Sequence, residues 1–582
     1  MIRTILIANR SEIALRVQAT CHAMGIKTVA IYSPEDMYAS YVYNAHEAYK
    51  LSKSGFAGYL NQEEIISIAL KSGADAIHPG YGFLSENSNF AQKVLDAGII
   101  WVGPSPESIK LMGDKGTARD IMVRAGVPIV PGITIDVDTS KIEERRTLRD
   151  AGLLRASAFE EATDIITTEV ETEAAIQEEI KREKKEWAQE QAGVIGYPVI
   201  LKDPKSGGGK AMRRIDKPED FESSWNLVCS EAAKYTGSKT LVLEKYITHG
   251  RHIEVQVIGD GKNFIHAYER ECSIQRRHQK IIEEAPCLFL STQTRDAMYK
   301  AAVCAAQSVN YNNIGTVEFI VTPDQNFYFL EMNTRLQVEH SVTEMTTGLD
   351  LVALQIEIAQ TGKLNLKQED ISQHAHAIQC RIYAENPAQK FAPSTGIINN
   401  LVLPISPFMR IDHDLEEGTE ITPFFDPMIA KITTWGADRT QAISNMRAAL
   451  EHTNIQGIST NIGLLVNILE SNELRTGAIH TQLLNDKNYL DAVCRATCPS
   501  ELAKPACPSE PPGRSRKGLD ERRRSASTEE IKEIDMLVIP NEIVAALAVI
   551  LYEKAEQESV AQNQKAPAHV PVQSSWKELR WK

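Results

Sequence analysis

Two short apolar stretches, Gly315-Thr316-Val317-Glu318-Phe319-Ile320-Val321 and Phe327-Tyr328-Phe329-Leu330-Glu331-Met332-Asn333, each carry one carboxylate. Between them Pro323-Asp324-Gln325-Asn326 reads as a hairpin turn. Pairing Thr322 with Phe327 sets Glu318 opposite Glu331 and Thr316 opposite Asn333. Val317, Phe319, Val321, Tyr328, Leu330 and Met332 then form the other, apolar face. Carboxylates facing each other across strands repel unless a cation lies between them. Hard oxygen donors beside phosphates suit Mg2+ or Mn2+, which makes Glu318, Glu331 and Asn333 candidate metal ligands. A solvated pair or a shifted register is the alternative.

Continuing the same alternation through Thr334-Arg335-Leu336-Gln337-Val338-Glu339-His340 puts Arg335, Gln337 and Glu339 on the side of the two carboxylates. A cation, an amide and a carboxylate together can hold a small anion and remove its proton. The stretch Glu269 to Lys280 is densely basic, with Arg270, Arg276, Arg277 and His278. In an acidic protein such a cluster points to a phosphate or carboxylate site. Lys202 opens a loop containing Gly207-Gly208-Gly209, whose backbone amides can approach phosphate oxygens. That loop lacks P-loop spacing and by itself is a weak signal. Lys115, in Met112-Gly113-Asp114-Lys115, is a second candidate phosphate-binding lysine.

The elements that must position these residues follow from periodicity. Strands at Thr4–Ala8, Lys27–Tyr32, Ala74–His78 and Ile99–Val102 alternate with helices from Ser11, at Glu63–Lys71 and at Asn87–Ala97. This pattern implies parallel βαβ units, whose ligands bind beyond the carboxyl ends of the strands, as at His78-Pro79-Gly80-Tyr81-Gly82. From about 135 to 191 the chain is rich in Glu, Lys and Ala, and reads as a solvated helix or mobile insertion. Mixed α/β structure resumes at Gly196 and runs to about Asp486. A Pro-, Ser- and Arg-rich linker follows from Cys494 to about Glu529, then one amphipathic helix near Pro540–Glu553.

The 582 residues exceed one core and suggest several domains. A net charge of −14 argues against a nucleic-acid partner. No apolar run reaches membrane-spanning length, and no secretion signal opens the chain. The nine scattered cysteines read as reduced thiols, so a cytoplasmic location is expected.

Taken together, these segments resemble biotin carboxylase, the ATP-grasp component of acyl-CoA and pyruvate carboxylases. The resemblance rests on Ile7-Ala8-Asn9-Arg10, the run from His78 to Asn87, Leu111 to Lys115 and the glycine loop. It continues through Glu244-Lys245-Tyr246, Arg251 to Glu254, Gln275 to Glu284, Glu331 to His340 and His376 to Ile382. It implies an α/β and α+β multidomain fold, with a Rossmann-like N-terminal domain at 1–112 and an ATP-grasp domain at 113–372. Within the latter, a charged insertion would span about 137–190 and a mobile lid about 191–246. A biotin carboxylase C-terminal domain at 373–487, a flexible linker at 488–530 and a short helical extension at 531–582 would follow.

The resemblance also assigns roles. Lys115, Lys202, Gly208 and Gly209 would hold ATP phosphates, Glu244 and Lys245 would meet the adenine edge, and His252, Gln275 and His278 would line the nucleotide site. Lys280, Arg335, Gln337 and Val338 would hold bicarbonate and the carboxyphosphate formed from it, with Glu339 as the base. Arg381 would stabilise enolate-like biotin and Tyr81 would contact it. Implied cofactors are ATP, Mg2+ or Mn2+, and biotin on a separate protein, since no Met-Lys-Met biotinylation sequence occurs. Implied partners are a biotin carboxyl carrier protein and carboxyltransferase subunits, and a homodimer is compatible with the family. Two departures stand out: Ser11 replaces a usual glycine, and Lys205, Ser206 and Ala211 replace glycines of the phosphate loop. Competing readings are another ATP-grasp carboxylate–amine ligase and a non-catalytic ATP-binding subunit. Neither explains why Tyr81, Arg335, Glu339 and Arg381 occur together.

Overall fold

The strand Thr4–Ile7 is apolar on both faces and almost wholly buried, as the middle of a parallel sheet requires. It lies at the centre of five parallel strands, in the order Glu47–Lys50, Lys27–Tyr32, Thr4–Ile7, Ala76–His78, Ile100–Trp101. This is the expected Rossmann-like layer, seen in a computed structural model that describes residues 1–137, 168–204 and 211–495. Its helices start and stop where local chemistry dictates. The Asn61 and Asn87 side chains cap Gln62–Ser72 and Ser88–Asp96, and left-handed Gly73 closes the first of these. Asn9, just past the central strand, donates from Nδ2 to the carbonyls of Pro79 and Tyr81, each at 2.8 Å. Two strand ends are thereby tied together, and Tyr81 is placed at the carboxyl edge of the sheet.

The second layer is an eight-stranded sheet whose neighbouring strands pair antiparallel throughout. Its order is Phe327–Asn333, Asn312–Val321, Arg251–Asp260, Phe264–Arg276, Gln279–Ala285, His376–Tyr383, Met428–Gly436, Met409–His413. The sheet therefore runs unbroken across residue 372, through the pairing of Gln279–Ala285 with His376–Tyr383. The expected hairpin is present, with Glu318 opposite Glu331 and Thr316 opposite Asn333. Its tip departs from expectation. A bulge between Glu318 and Phe319 pairs Val321, rather than Thr322, with Phe327. The extra residue turns Phe329 into the core and leaves Leu330 40% exposed, reversing the expected face of Leu330 and Tyr328.

The lid is a four-stranded antiparallel sheet, Gly132–Asp136, Thr240–Lys245, Val199–Lys202, Met212–Ile215. The helix Phe221–Tyr235 packs Phe221, Trp225 and Val228 against it. A long helix, Thr168–Ile195, overturns part of the insertion reading. Ile180, Ala188 and Ala192 are buried, and the latter two enter the lid core, so this stretch is structural. Its glutamates and lysines, such as Glu178 and Lys181, form the solvated face. The lid thus begins before residue 191 and borrows Gly132–Asp136 from upstream. Residues 138–167 lie outside the described residues, as do Gly208 and Gly209. At the other end, Lys487–Arg495 is a helix with Val493, Tyr489 and Leu490 in the C-terminal core, so the folded region extends past 488. The rest of the expected linker and the helix near Pro540–Glu553 lie outside the described residues.

Candidate active site

In Arg251–Asp260, the residues His252, Glu254 and Gln256 alternate with Ile253, Val255 and Val257. The apolar set fills the core under the sheet. Of the equally buried polar set, His252 lines a cavity of about 840 Å³, while Glu254 and Gln256 lie behind its wall, bonded to Lys280 and Arg270. Every described candidate residue except Lys245 lines that cavity. The Lys245 ammonium donates to the carbonyls of Gly196 (2.8 Å) and Tyr197 (3.1 Å), bracing the lid.

At the floor of the cavity charges are densely paired. Lys280 Nζ donates to Glu254 (2.5 Å), Glu339 (2.7 Å) and Glu318 (2.8 Å), which uses all three of its donors. Arg381 reaches Glu283 through Nε (2.6 Å) and Glu339 through Nη2 (2.9 Å). Arg270, wholly buried, donates to Glu254 (2.6 Å), Gln256 (2.8 Å) and Gln337 Oε1 (2.8 Å). The last bond turns the Gln337 amide so that its Nε2 donates to Glu318 at 2.9 Å. Such mutual satisfaction is the condition for keeping charges out of water.

The electrostatic consequence is specific. Burial pushes the Glu339 carboxyl up, but Lys280, Arg381 and Arg270 outweigh it and hold the group well below the usual carboxylate range. Glu318 is likewise raised by burial and lowered further by Lys280 and His252, ending ionised. For Lys280, burial disfavours the ammonium, yet Glu254, Glu318 and Glu339 raise its pKa well above the ordinary lysine value. Glu339 and its cations thus hold one another in their charged forms.

Glu318 and Glu331 meet the cation requirement without a metal by pairing separately. Glu318 binds Lys280, Asn333 Nδ2 (2.9 Å) and His252 (3.1 Å), while the half-exposed Glu331 lies 3.5 Å from Lys115. Their side chains share the cavity with Asn333, so hard oxygen donors suited to Mg2+ are present together. A tighter cluster among the described residues joins His252, Glu254 and Glu318. Lys280 already bonds two of those three, which makes the cluster a cation site filled by the protein itself.

Around the rest of the cavity the contacts are as short, but several of the charged groups are more exposed. Lys202 Nζ bonds Glu244 at 2.5 Å, and Arg119 bonds the other Glu244 oxygen at 2.9 Å. Gln275 donates to the Cys272 carbonyl at 2.9 Å. His278 is exposed, with a left-handed backbone (φ 67°). Arg335 donates to Glu86 and to Asn333 Oδ1, both at 2.9 Å.

Residues that received no role from the sequence are chiefly anchors: Glu254, Glu283, Glu86 and Arg119. Arg270, expected in an anion site, is instead wholly buried and bonded to Glu254, Gln256 and Gln337. A signal existed for Glu254, since a glutamate on the polar side of a strict alternation between two buried partner strands must face a cation. For Glu283, no local pattern announces the pairing with Arg381 across 98 positions.

Comparison with known proteins agrees with this geometry. The family described as biotin carboxylase, N-terminal domain, matches residues 1–109. The carbamoyl-phosphate synthase L chain ATP-binding domain matches 160–367, and the biotin carboxylase C-terminal domain 379–486. Biotin carboxylase 2 of Bacillus subtilis is 43% identical over 486 residues, covering 83% of this chain and 99% of that one. The chain belongs to the biotin carboxylase family. The 2-oxoglutarate carboxylase small subunit of Hydrogenobacter thermophilus is 42% identical, covering 84% of this chain and 94% of the relative. A 41% identical relative, the mitochondrial methylcrotonoyl-CoA carboxylase subunit alpha of Dictyostelium discoideum, is longer. The match covers 82% of this chain and 63% of that subunit. Among solved structures, the Hydrogenobacter biotin carboxylase domain dimer with MgADP, ADP and bicarbonate superposes with a TM-score of 0.72 at 41% identity, covering 84% of this chain and 98% of that one. A Campylobacter jejuni biotin carboxylase bound to an ATP analogue gives 0.72 at 38% identity, covering 83% and 99%. The three-layer architecture described above is that of this family.

Proposed function

We propose that this chain uses ATP and bicarbonate to carboxylate biotin, through carboxyphosphate. The observation that carries the reading is the junction of Lys280, Glu339 and Arg381 on the floor of the cavity that also holds Glu318, Glu331, Lys115 and Lys202. Bicarbonate becomes a competent nucleophile only on losing its proton, which Glu339 can accept while Lys280, Arg335, Gln337 and the Val338 backbone hold the anion. Lys115 and Lys202 approach from the lid side and would gather the ATP phosphates, with Gly208 and Gly209 assigned to the same task. Glu244, His252, Gln275 and His278 would complete the nucleotide site. A Mg2+ or Mn2+ held by Glu318, Glu331 and Asn333 would neutralise charge on the transferring phosphoryl group. Arg381 would stabilise negative charge on the biotin ureido oxygen, and Tyr81 would flank the ring.

Biotin on a separate carrier protein is the expected acceptor, with carboxyltransferase subunits completing an acyl-CoA or pyruvate carboxylase. A homodimer and a cytoplasmic location belong to the same reading. None of the described helices is long and apolar enough to cross a membrane.

The test is ATP cleavage with and without bicarbonate and biotin, in wild type, Glu339→Ala and Arg381→Ala. The expected outcome is biotin-stimulated, bicarbonate-dependent turnover that both substitutions abolish while nucleotide affinity persists. Turnover indifferent to biotin would instead favour another ATP-grasp ligase.

A further inference from the structure

One buried cation has no part in the chemistry above. Lys431 lies in the strand Met428–Gly436 with no exposed surface. Strand pairing sets it directly opposite Arg381 on one side and Asp412 on the other. Residues opposite one another project from the same face of a sheet, so Arg381, Lys431 and Asp412 form one row. From that row the Lys431 ammonium donates to the Val338 carbonyl at 2.8 Å. Two carboxylates flank it more loosely, Glu12 at 3.4 Å and Asp412 at 3.8 Å, and the Tyr81 ring centre lies 5.5 Å away.

The contacts differ in quality. Neither Glu12 oxygen accepts a hydrogen bond, nor does Asp412 Oδ2, so the carboxylates balance charge without fixing geometry. The bond to Val338 alone is well formed. A fully buried ammonium is costly, and an aliphatic residue such as the adjacent Ala430 or Ile432 would fill the strand without that cost. What an aliphatic side chain could not do is hold a carbonyl. The Val338 carbonyl belongs to the planar peptide that leads into Glu339, so pinning it fixes the plane from which the Glu339 side chain departs. The same turn presents Arg335 and Gln337.

We infer that Lys431 is a positioning residue for the carboxylation reaction, acting through the Val338 carbonyl to hold the Arg335–Glu339 turn in its bicarbonate-binding geometry. This rests on the proposed function. It adds a second connection from the C-terminal strands to the anion site, made to the backbone of the turn where Arg381 reaches the Glu339 side chain. Glu12, on the helix Ser11–Ala23, lies beside the same ammonium, and burial pushes its carboxyl up to about 7.

The experiment compares Lys431→Met, Lys431→Arg, Glu12→Gln and the double variant Lys431→Met/Glu12→Gln in the full chain, measuring KM for bicarbonate, KM for ATP and kcat, with melting temperature as the check on folding. The double variant removes the charge that the single Lys431→Met change would strand, so it folds where the single variant fails. The expected result is a KM for bicarbonate raised about tenfold in both Met variants, as the loss of one orienting hydrogen bond implies. KM for ATP should stay within about twofold, Lys431→Arg should recover part of the defect, and Glu12→Gln should leave bicarbonate KM unchanged. An unchanged bicarbonate KM in any folded variant lacking the lysine overturns the inference. So does a double variant restored to wild-type kinetics, or a parallel rise in both KM values. A wild type with no bicarbonate-dependent turnover would strike the proposed function itself, which is a separate outcome.

Discussion

The floor of the cavity and its lid side carry the same kinds of side chain in opposite states. On the floor, Glu254, Glu318 and Glu339 are buried and joined by Lys280, whose side chain is 12% exposed. Toward the lid, Lys115 and Glu331 are 51% and 42% exposed and 3.5 Å apart, and Lys202 is 31% exposed. The floor is densely paired, and Lys280, with all three donors taken, must release a carboxylate before it can hold an anion. Pairs on the lid side are screened by water and cheap to exchange for phosphate oxygens. On the proposed function, the contrast separates a chemical half of the site from a capturing half.

The sharpest way to break this contrast is Glu339→Gln. On the proposed function this removes the general base, and kcat should fall about 10²- to 10⁴-fold with little change in KM for ATP, read from steady-state ATP cleavage. An ATP KM that rises with the loss of kcat would merge the two halves.

Stability supplies the next test. Burial raises the Glu284 carboxyl, but His376 and Arg439 hold it down to about 2. A depressed folded-state pKa gives stability that is complete above the unfolded value near 4.5 and disappears as pH falls toward 2. Glu284→Gln should therefore cost about 3 kcal/mol near neutral pH, with the gap to wild type closing below pH 4, measured by denaturation across pH. A gap independent of pH would show that packing, not ionisation, is lost.

On the capturing side, Lys202→Ala should raise KM for ATP about tenfold and leave bicarbonate KM nearly unchanged. Raising salt should weaken wild-type ATP binding by the same exposed route. The smallest expected effect belongs to Ser11, whose φ of 58° lies in the left-handed region. Ser11→Gly relieves that backbone strain and should raise stability by about 0.5–1 kcal/mol in chemical denaturation, without altering turnover. Ala211, at φ 45° beside the phosphate loop, invites the same change, and there a shift in ATP KM would show that the loop is held back by its Cβ.

Much of this arrangement is legible locally. The alternation through 315–333 places Glu318 and Glu331 opposite each other as expected, although a bulge shifts the hairpin tip by one residue. The strand ends at Asn333, so Arg335 and Glu339 lie in a loop and turn where the alternation does not hold. Glycines and Asn caps bound the N-terminal helices within a residue or two. The helix Thr168–Ile195 misleads because its charge density reads as solvent exposure, while Ala188 and Ala192, the small residues between the charges, make the lid contact. Small residues carry too little hydrophobic contrast to mark a buried stripe.

The sequence by itself determined which chemical groups are available and, outside the bulge that reverses Tyr328 and Leu330, which face of each strand they occupy, because side-chain direction along a strand follows a period of two. Only the tertiary structure decided who pairs with whom. Strand order in the eight-stranded sheet brings Lys280 to Glu339, Arg381 to Glu283 and Lys431 to the Val338 carbonyl, across 59, 98 and 93 positions. Those pairings depend on burial and on register between distant strands, and no local run of residues encodes either.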